Sequence, residues 1–409
     1  MKYVIIGNST AAIGTVEGIR TIDKKGEIVI ISDEKYHTYS RPLISYLLNG
    51  KTDLEKMKYR SNDFYEKNNI TTMFAKKVIK IDSNAKKVIL DSNEEINYDK
   101  LMVATGSRPF VPPMKGLDTV SNKFSFMTLE DALSLQKTIT ANSRVLVVGA
   151  GLIGLKCVEG ISGKVKEITV IDLADRILPS ILDVEGASIV QKHIEKQDVK
   201  FILGSSIAEF KNNKATTSKG DILEFDILVL AVGVRPNTEL IKEAGGKVER
   251  GIITDNKQKT SLKDVYSAGD CVESFDITID SSRILALLPN AYIQGNTAGI
   301  NMAGGEKEFN NSVPMNAIGF FGYHIITAGS YIGDCYKVAD KDNLKKLFTK
   351  DNYLKGYIMM GDVKRAGIYT SLIRDKKPLS EIDFELIKDR PQLIAFSLED
   401  RKQKLSREV

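Results

Sequence analysis

Residues 145–154 read Val-Leu-Val-Val-Gly-Ala-Gly-Leu-Ile-Gly, a short apolar run that ends in three glycines spaced Gly-x-Gly-x-x-Gly. A strand that enters this spacing and continues into a helix is typical of a dinucleotide-binding βαβ unit. The glycines keep the turn tight and let backbone N–H groups approach a pyrophosphate at the positive end of the helix. A chance glycine-rich turn is the alternative, but a second strand-like run, 167–171, follows at the right distance. The site residues predicted from this unit are Gly149, Gly151, Leu152, Ile153, Gly154 and, at the end of the second strand, Asp172.

The unit begins in the middle of the chain, so another domain precedes it. Residues 3–6 form an apolar run that leads into Gly7-Asn-Ser-Thr-Ala-Ala-Ile-Gly14, and a helix is expected from Thr15 to Ile22. Ser9 replaces the second glycine of the motif and Ala12 the third, and both are small enough for close backbone approach. The predicted residues of this second dinucleotide site are Gly7, Asn8, Ser9, Thr10, Ala11 and Ala12, with Ser32 or Asp33 at the ribose.

An internal repeat supports a duplication. Val103-Ala-Thr-Gly-Ser-Arg-Pro109 is echoed by Leu230-Ala-Val-Gly-Val-Arg-Pro236, and each copy follows an apolar run. Each copy predicts a strand, a glycine turn and an Arg-Pro exit. The proline-rich stretch 108–113 indicates the first crossover between domains. We therefore expect two nucleotide-binding domains, the second inserted into the first.

The character of the chain changes at Val313. Strands are expected at 315–322, 325–333, 345–348 and 353–361, a helix at 366–374, and a surface helix or frayed tail at 397–409. Earlier in the chain, residues 222–230 are predicted to form one strand. Residues 290–302 are rich in small side chains and are predicted to form a helix that packs closely on a cofactor. The predicted fold class is α/β, with two Rossmann-like dinucleotide-binding domains, one inserted in the other, plus a small α+β C-terminal domain. The predicted boundaries are 1–113 with 241–312, 114–240, and 313–409.

Composition describes an ordinary globular protein of 409 residues, with 42% apolar and 27% charged side chains. The net charge of +5 is mild and spread along the chain, so nucleic acid is not an expected partner. No apolar run approaches the roughly 18 residues that span a bilayer. The N-terminal apolar run is too short for a signal sequence. We expect a cytoplasmic protein.

Cysteine and histidine patterns exclude several kinds of chemistry. Cys157, Cys271 and Cys335 lie far apart, which rules out a local redox disulfide and a cysteine-ligated zinc or iron–sulfur motif. The three histidines, His37, His193 and His324, show no ligand spacing and are expected on the surface or in packing. No metal site is predicted, and no carboxylate pair or Ser/His arrangement indicates hydrolysis.

Five blocks now resemble, in order, the two-dinucleotide-binding flavoprotein reductases of the pyridine nucleotide-disulfide oxidoreductase superfamily. They are Gly7 to Ala12, Ala104 to Gly106, Gly149 to Gly154, Ala231 to Pro236, and Gly269-Asp270. Within that group, the segments Tyr39–Ser45 and Leu354–Asp362 are similar to the NADH:rubredoxin reductase and nitrite-reductase flavin-module branch.

The resemblance implies FAD at the first site and NADH at the second. Val78 would lie against the adenine, Arg41, Pro42 and Thr105 at the flavin end, and Asp270 on the ribityl chain. The helix near Asn290 would point its positive end at the pyrimidine edge of the flavin. Arg41 could instead be a solvated surface charge. The further residues implied in cofactor binding are Ala104, Gly106, Arg108, Gly233 and Gly269.

The departures from the family narrow the expected chemistry. Pro42 stands where relatives that use a single redox cysteine carry it, so no thiol relay is expected and no side chain is assigned a catalytic step. Tyr46 and Lys156 occupy positions where many ferredoxin-type reductases pair a lysine with a glutamate. Lys156 either changes the electrostatics near the nicotinamide or is a solvated helix residue. Asp172 favours NADH, because a carboxylate repels a 2′-phosphate.

The expected function is electron transfer from NADH through FAD to a small rubredoxin- or ferredoxin-like protein, without a redox-active cysteine. Two alternatives remain open. One is an NADH oxidase that produces hydrogen peroxide, and the other is a non-catalytic FAD- and NAD-binding interaction protein. Neither nucleic acid nor membrane is expected as a partner, and the chain could be a monomer or a homodimer.

Overall fold

The computed structural model describes residues 1–406, apart from the side chains of residues 403 and 404. Its strands are β1 Lys2–Ile6, β2 Glu27–Ser32, β3 Ile70–Phe74, β4 Val78–Asp82, β5 Lys87–Leu90, β6 Glu95–Asn97, β7 Lys100–Val103, β8 Ser107–Pro109, β9 Lys123–Phe124, β10 Arg144–Val148, β11 Glu167–Asp172, β12 Val199–Leu203, β13 Ile207–Lys211, β14 Lys214–Thr217, β15 Ile222–Glu224, β16 Ile227–Leu230, β17 Val234–Pro236, β18 Val265–Ser267, β19 Glu273–Asp276, β20 Ser281–Ile284, β21 Met315–Phe320, β22 Tyr323–Gly329, β23 Asp334–Ala339, β24 Leu344–Lys350 and β25 Tyr353–Met360. Its helices are α1 Thr10–Ile22, α2 Ile44–Asn49, α3 Phe64–Lys67, α4 Leu129–Thr138, α5 Leu152–Ile161, α6 Val184–Glu195, α7 Glu239–Glu243, α8 Leu288–Met302, α9 Ala366–Arg374, α10 Phe384–Asp389 and α11 Leu398–Ser406.

The chain divides into two compact units. The first unit comprises Met1–Pro179, Ile194–Ser274 and Arg283–Asn310, and the second comprises Ser180–His193, Phe275–Ser282 and the chain from Asn311 onward. The first unit thus holds both predicted nucleotide sites. The finer boundaries expected within it, at 113 and 240, stay predictions.

Two five-stranded parallel sheets form the framework of the first unit, in the orders β18-β7-β1-β2-β3 and β12-β11-β10-β16-β9. In each sheet the strand before a glycine turn is central: Val4 pairs with Val29 and Leu101, and Val147 pairs with Val170 and Val229. These strands are apolar almost throughout because both faces of a parallel sheet are covered. The prediction of two Rossmann-like sheets is confirmed.

The two copies of the internal repeat pair with each other. Strands β8 and β17 form a two-stranded antiparallel ribbon in which Arg108 lies opposite Arg235. Beside it, the Thr105 hydroxyl donates to the Asn237 carbonyl and the Asn237 amide donates to the Thr105 carbonyl, each at 2.8 Å. The crossover between the two sheets is therefore a hydrogen-bonded ribbon rather than a loose linker.

The prediction of one strand over 222–230 is wrong. The chain forms β15 and β16 instead, and β15 joins an antiparallel sheet with β13 and β14. The break falls at Asp226, whose carboxylate accepts the Arg144 backbone N–H at 2.8 Å and pairs with its guanidinium at 3.0 Å. This polar anchor at the edge of the sheet separates two apolar runs that look continuous in the sequence.

Small residues of α8 pack on α1, which differs from the predicted packing on a cofactor. A Cβ on Gly295 would lie 2.0 Å from the Ala11 carbonyl oxygen, and one on Gly299 2.1 Å from that of Thr15. Gly14 and Gly18 on α1 approach the backbone of α8 as closely. The glycines therefore let the two helix backbones touch.

The second unit contains a five-stranded antiparallel sheet in the order β21-β22-β25-β24-β23. Its core is apolar, with Tyr357 and Tyr369 fully buried, and α9 matches the predicted helix 366–374. The α+β prediction is confirmed. Strand β23 was not predicted, because this edge strand exposes most of its residues and has no apolar alternation. Residues 407–409 of the predicted tail lie outside the described part of the chain.

Among the described residues, no helix has both the length and the apolar character that crossing a membrane requires.

Candidate functional site

The first glycine turn joins β1 to α1. Gly7 has a φ of +113° and donates its N–H to the Ile31 carbonyl at 2.8 Å. A Cβ at this residue would lie 2.2 Å from the carbonyl oxygen of Ala104. Glycine alone satisfies both the conformation and the contact. Helix α1 begins at Thr10, before the predicted start at Thr15, so the turn presents the N–H groups of a 13-residue helix to the space above it.

A cavity of about 690 Å³ opens over this turn, within the size range of small-molecule and cofactor sites. Most of the residues predicted for the first site line it. They are Gly7, Asn8, Ser9, Thr10, Ala11, Ser32, Asp33, Arg41, Val78, Ala104, Thr105, Gly106, Arg108, Gly269 and Asp270.

Three predicted residues do not line this cavity. Ala12 is fully buried in the core beneath α1. Pro42 lies in an exposed 3-10 turn directly after Arg41. Asn290 sits in the first turn of α8 between the lining residues Leu288 and Ala291, and it is only 7% exposed. Its side-chain Nδ2 is buried without a hydrogen-bond partner, which leaves a donor at the cavity end of this helix.

The acid at the end of β2 is open to the cavity. Ser32 is buried, and its hydroxyl accepts the Glu34 N–H at 3.2 Å. Asp33 is exposed and lines the cavity. The turn itself is held by Asn8, whose amide donates to the Tyr36 carbonyl at 3.2 Å and whose oxygen accepts from the Tyr65 hydroxyl at 2.9 Å. Of the two sequence candidates for the ribose contact, Asp33 has the accessible carboxylate.

Two ionisable side chains of the cavity lining, Arg41 and Asp270, influence each other electrostatically. Burial raises the pKa of Asp270 to about 6, and the nearby positive charge of Arg41 opposes that shift. Arg41 is not a solvated surface residue: its guanidinium pairs with the carboxylate of Glu34, and Nη1 donates to the Met127 carbonyl at 3.2 Å. The alternative interpretation of Arg41 as a surface charge is therefore wrong.

Several lining residues were not predicted from the sequence. His37 was expected on the surface or in packing, yet it lines the cavity while its ring contacts Tyr65 edge-on, with 4.7 Å between the ring centroids. Asn237 directly follows the second copy of the repeat, and this position is the sequence signal that could have indicated it. The other unpredicted lining residues are Ile6, Ile31, Glu34, Tyr36, Tyr39, Lys76, Lys77, Ile79, Ser107, Met127, Glu239, Leu240, Glu243, Ala268, Leu288 and Ala291.

The second glycine turn repeats the backbone of the first. Gly149 has a φ of +115° and donates to the Ile171 carbonyl at 2.8 Å, and a Cβ there would lie 2.3 Å from the Ala231 carbonyl oxygen. Gly151 is the N-cap of α5, which begins at Leu152 and Ile153. A Cβ on Gly154 would lie 2.0 Å from the Gly149 carbonyl oxygen. The turn is thus closed on itself by backbone contacts, with open space only at Gly151.

Asp172 holds this second turn in place. Its Oδ2 accepts the Ala150 N–H at 2.6 Å, and its Oδ1 accepts the Ala174 N–H at 2.8 Å. Each carboxylate oxygen can accept a further hydrogen bond, so ribose hydroxyls can still donate to it. Gly233, also predicted at this site, follows Ala231 in the left-handed region with a φ of +113°.

Lys156 is not a solvated helix residue. Its side chain is 19% exposed, its Nζ lies 2.6 Å from a carboxylate oxygen of the buried Glu159, and it sits 5.1 Å from the ring centroid of Tyr46. The contact joins α5 to α2, which directly follows the Arg41 turn. Around it, Asn49 donates to the Glu159 carbonyl at 3.0 Å, and a Cβ on Gly160 would approach the Ser45 carbonyl oxygen to 3.1 Å. The helices that follow the two sites therefore meet at Tyr46 and Lys156.

All three cysteines are free thiols, and Cys157 and Cys271 are buried while Cys335 is exposed. Burial raises the pKa of Cys157 and of Cys271, which disfavours the thiolate form. Within residues 1–406, no group of three or more His, Cys, Asp or Glu side chains could hold a metal ion.

Comparison with known proteins gives a matching family and relatives that match most of the chain. The family model described as pyridine nucleotide-disulphide oxidoreductase matches residues 1–295. The epsilon subunit of NADH-dependent phenylglyoxylate dehydrogenase from Aromatoleum evansii is 29% identical over 396 residues, which cover 93% of each chain. The NADH oxidase of Methanocaldococcus jannaschii is 36% identical over 321 residues, 76% of this chain and 71% of that protein.

A third relative has a solved structure. The NADH-rubredoxin oxidoreductase of Clostridium acetobutylicum is 25% identical over 366 residues, 88% of this chain and 91% of that protein. Its crystal structure has a TM-score of 0.75, with 24% identity, and covers 93% of this chain and 97% of its own. This likeness supports the two-sheet fold described above.

Proposed function

The chain belongs to the pyridine nucleotide-disulphide oxidoreductase family, and from this premise we propose that it is an FAD-dependent oxidoreductase that passes electrons from NADH to a small electron-transfer protein. The observation that carries the proposal is the pair of glycine turns, each closed against its own Ala-x-Gly segment, at Ala104 for the first and Ala231 for the second, with a cofactor-sized cavity over the first turn. Relatives over most of the chain are NADH-dependent enzymes, one of which acts with rubredoxin.

The first cavity has the features that FAD requires. The N–H groups of the Gly7 turn and α1 would hold the pyrophosphate, and the open carboxylate of Asp33 would accept from the adenosine ribose. Val78 would cover the adenine, and Asp270 would meet the ribityl chain. The unpartnered Nδ2 of Asn290 and the N-terminus of α8 would face the flavin end.

The second turn supports NADH as the electron donor. The free space above Gly151 would receive the pyrophosphate, and Asp172 would accept from the adenosine ribose while keeping its own bonds to Ala150 and Ala174. A carboxylate that must also anchor the turn cannot be moved aside for a 2′-phosphate. This supports a preference for NADH over NADPH.

Bound flavin would supply the redox chemistry, accepting a hydride from the nicotinamide and releasing electrons to an acceptor one at a time. The protein's part is to position both nucleotides, to set the charge around them, and to offer no side-chain intermediate. Pro42 stands in the place of a redox cysteine, and Cys157 and Cys271 are buried. These features support direct transfer to an outside acceptor.

The test is an anaerobic titration of the FAD-loaded protein with NADH. The visible flavin absorbance should bleach with NADH at lower concentration than with NADPH, and added rubredoxin should restore it. A protein that binds FAD and NADH without bleaching would contradict the proposal and favour a non-catalytic binding role.

A second candidate is suggested by the relationship to an NADH oxidase. Without an accessible thiol beside the cavity, such a reaction would release hydrogen peroxide. Oxygen uptake with equal peroxide formation, at the rate seen with a protein acceptor, would favour this candidate.

A further inference from the structure

We propose that Glu34 and Tyr39 are positioning residues of the flavin site and that they act through Arg41. The inference rests on the FAD site proposed above. Glu34 binds both partners at once: Oε1 pairs with Arg41 Nη2, and Oε2 accepts from the Tyr39 hydroxyl at 2.7 Å. Arg41 Nη1 donates to the Met127 carbonyl. Among the described residues, Glu34 and Met127 are the hydrogen-bond partners of this guanidinium, and they fix its plane.

Tyr39 fixes the direction of the hydrogen bond to Glu34. Its hydroxyl accepts the backbone N–H of Leu129, the first residue of α4, at 3.0 Å. Since that N–H must donate, the single hydroxyl proton is committed to Glu34. The Tyr39 side chain is buried, and its ring centroid lies 5.5 Å from the guanidinium carbon of Arg41. Tyr39 therefore aligns Glu34 from one side and supports Arg41 from the other.

The network leaves part of Arg41 for a ligand. The Arg41 side chain is 34% exposed and that of Glu34 is 21% exposed, and both residues line the cavity. The negative charge of Asp270 also contributes to raising the pKa of Arg41. A guanidinium with a bound carboxylate presents less net positive charge than a free one. Glu34 would therefore determine how much net positive charge Arg41 presents to the flavin, and Tyr39 would determine the orientation of the Glu34–Arg41 pair.

The proposal predicts opposite electrostatic effects for the two members of the ion pair. Glu34→Gln leaves Arg41 uncompensated, so the midpoint potential of the bound flavin should rise, because positive charge favours the reduced form. Arg41→Met leaves Glu34 uncompensated, so the potential should fall, and the dissociation constant for FAD should increase at least tenfold. The double variant should return the potential towards the wild-type value.

Tyr39→Phe changes no charge. It should weaken FAD binding a few-fold and leave the midpoint potential within error of the wild type. Glu55→Gln is the control, because Glu55 pairs with Lys58 on the surface and does not line the cavity, so neither quantity should change. Should Glu34→Gln not fold, Glu34→Asp retains the charge at a greater distance and should raise the potential by a smaller amount.

The measurements are FAD titration of the apoprotein and redox titration of the loaded protein. If wild-type apoprotein does not bind FAD, the proposed function fails. If it binds FAD but the Glu34 and Arg41 variants shift the potential in the same direction, or not at all, the positioning role fails and the proposed function stands.

Discussion

The two glycine turns share a backbone and differ in how their side chains are used. Gly7 and Gly149 have nearly the same φ, +113° and +115°, and a Cβ added to either would lie 2.2 or 2.3 Å from the carbonyl oxygen of the alanine in an Ala-x-Gly segment. At the first turn, Asn8 supplies the side chain that anchors the loop, and Asp33 remains open. At the second turn the residue after the glycine is Ala150, which has no polar side chain.

Asp172 takes over that anchoring role by accepting the N–H of Ala150. On the proposed assignment, the acid at the first site would serve nucleotide binding alone, whereas the acid at the second site would serve binding and also holds the turn. A duplicated scaffold can thus distribute anchoring and binding differently between equivalent positions. The following experiments separate the two functions.

The largest effects are expected where the two turns are alike. Gly7→Ala and Gly149→Ala each place a Cβ against a carbonyl oxygen in a backbone conformation that costs other residues about 1–3 kcal/mol. Gly7→Ala should lower FAD affinity at least 100-fold, and Gly149→Ala should do the same for NADH while FAD is retained. Calorimetric titration of each variant with each nucleotide checks this reciprocity.

Gly163→Ala is the matched control for these substitutions. Gly163 also has a positive φ, +73°, but a Cβ there meets open space. This variant should lose about 1 kcal/mol of stability and retain both affinities. Loss of both nucleotides in either turn variant would contradict the view that the turns act as separate sites.

The second prediction concerns the two acids. Asp172→Ala removes the acceptor of two backbone N–H groups, so it should lower the free energy of unfolding of the nucleotide-free protein by about 2–3 kcal/mol and raise KM for NADH more than tenfold. Asp33→Ala should leave that stability unchanged and weaken FAD binding about tenfold, the equivalent of one hydrogen bond. Urea denaturation and nucleotide titration measure the two effects; equal stability losses would show that the acids are equivalent.

The third prediction is a pH dependence that belongs to the first cavity. Asp270 has a folded-state pKa of about 6, raised above the ordinary carboxyl value by burial. Its protonated form is therefore favoured by folding, and its contribution to stability is full below about pH 4 and is lost as the pH rises through 6. In the FAD-free protein, the free energy of unfolding of Asp270→Asn, measured relative to that of the wild type, should increase by about 1–2 kcal/mol as the pH rises from 4 to 7. Above about pH 7 this difference should stay constant. Urea midpoints at pH 4.5 to 7.5 test it, and a constant difference would contradict it.

Local signals predicted most of the framework. The strand-glycine-helix order at 3–22 and 145–161 depends only on residues close in the chain, and the structure has both sheets. The repeat at 103–109 and 230–236 was also visible in the sequence, but the pairing of its two copies into a ribbon was not predicted, because it joins residues far apart in the chain. The small residues of 290–302 were predicted to pack on a cofactor, which was wrong. A row of glycines indicates that a neighbouring group comes close to the helix, but it does not identify that neighbour. Here it is α1.

The side-chain network of the site could not be read from the sequence. Tyr39 and Leu129 are 90 positions apart, and Asp172 reaches Ala150 across a turn. Such bonds exist only after the sheets and the crossover have placed their ends together. Glu34 was therefore not predicted as a site residue, and the position of Arg41 at the cavity wall could not be derived from its motif.

The smallest effect is expected at the second glycine position of the motif, where one turn carries serine and the other glycine. Gly151 has an ordinary φ of −81°, and a Cβ there meets nothing within 4 Å. The equivalent residue of the first turn is Ser9, also in an extended conformation. Gly151→Ser should therefore leave the stability within about 0.5 kcal/mol of the wild type and change NADH affinity no more than a few-fold.

Gly151→Val is its matched variant. It has the same freedom from protein contacts but a bulkier side chain in the space assigned to the pyrophosphate, so NADH affinity should fall at least tenfold with FAD binding unchanged. If the serine variant loses NADH as completely as the valine variant does, then the second turn lets its phosphates approach more closely than the first turn does. The likeness of the two sites would then end at the backbone.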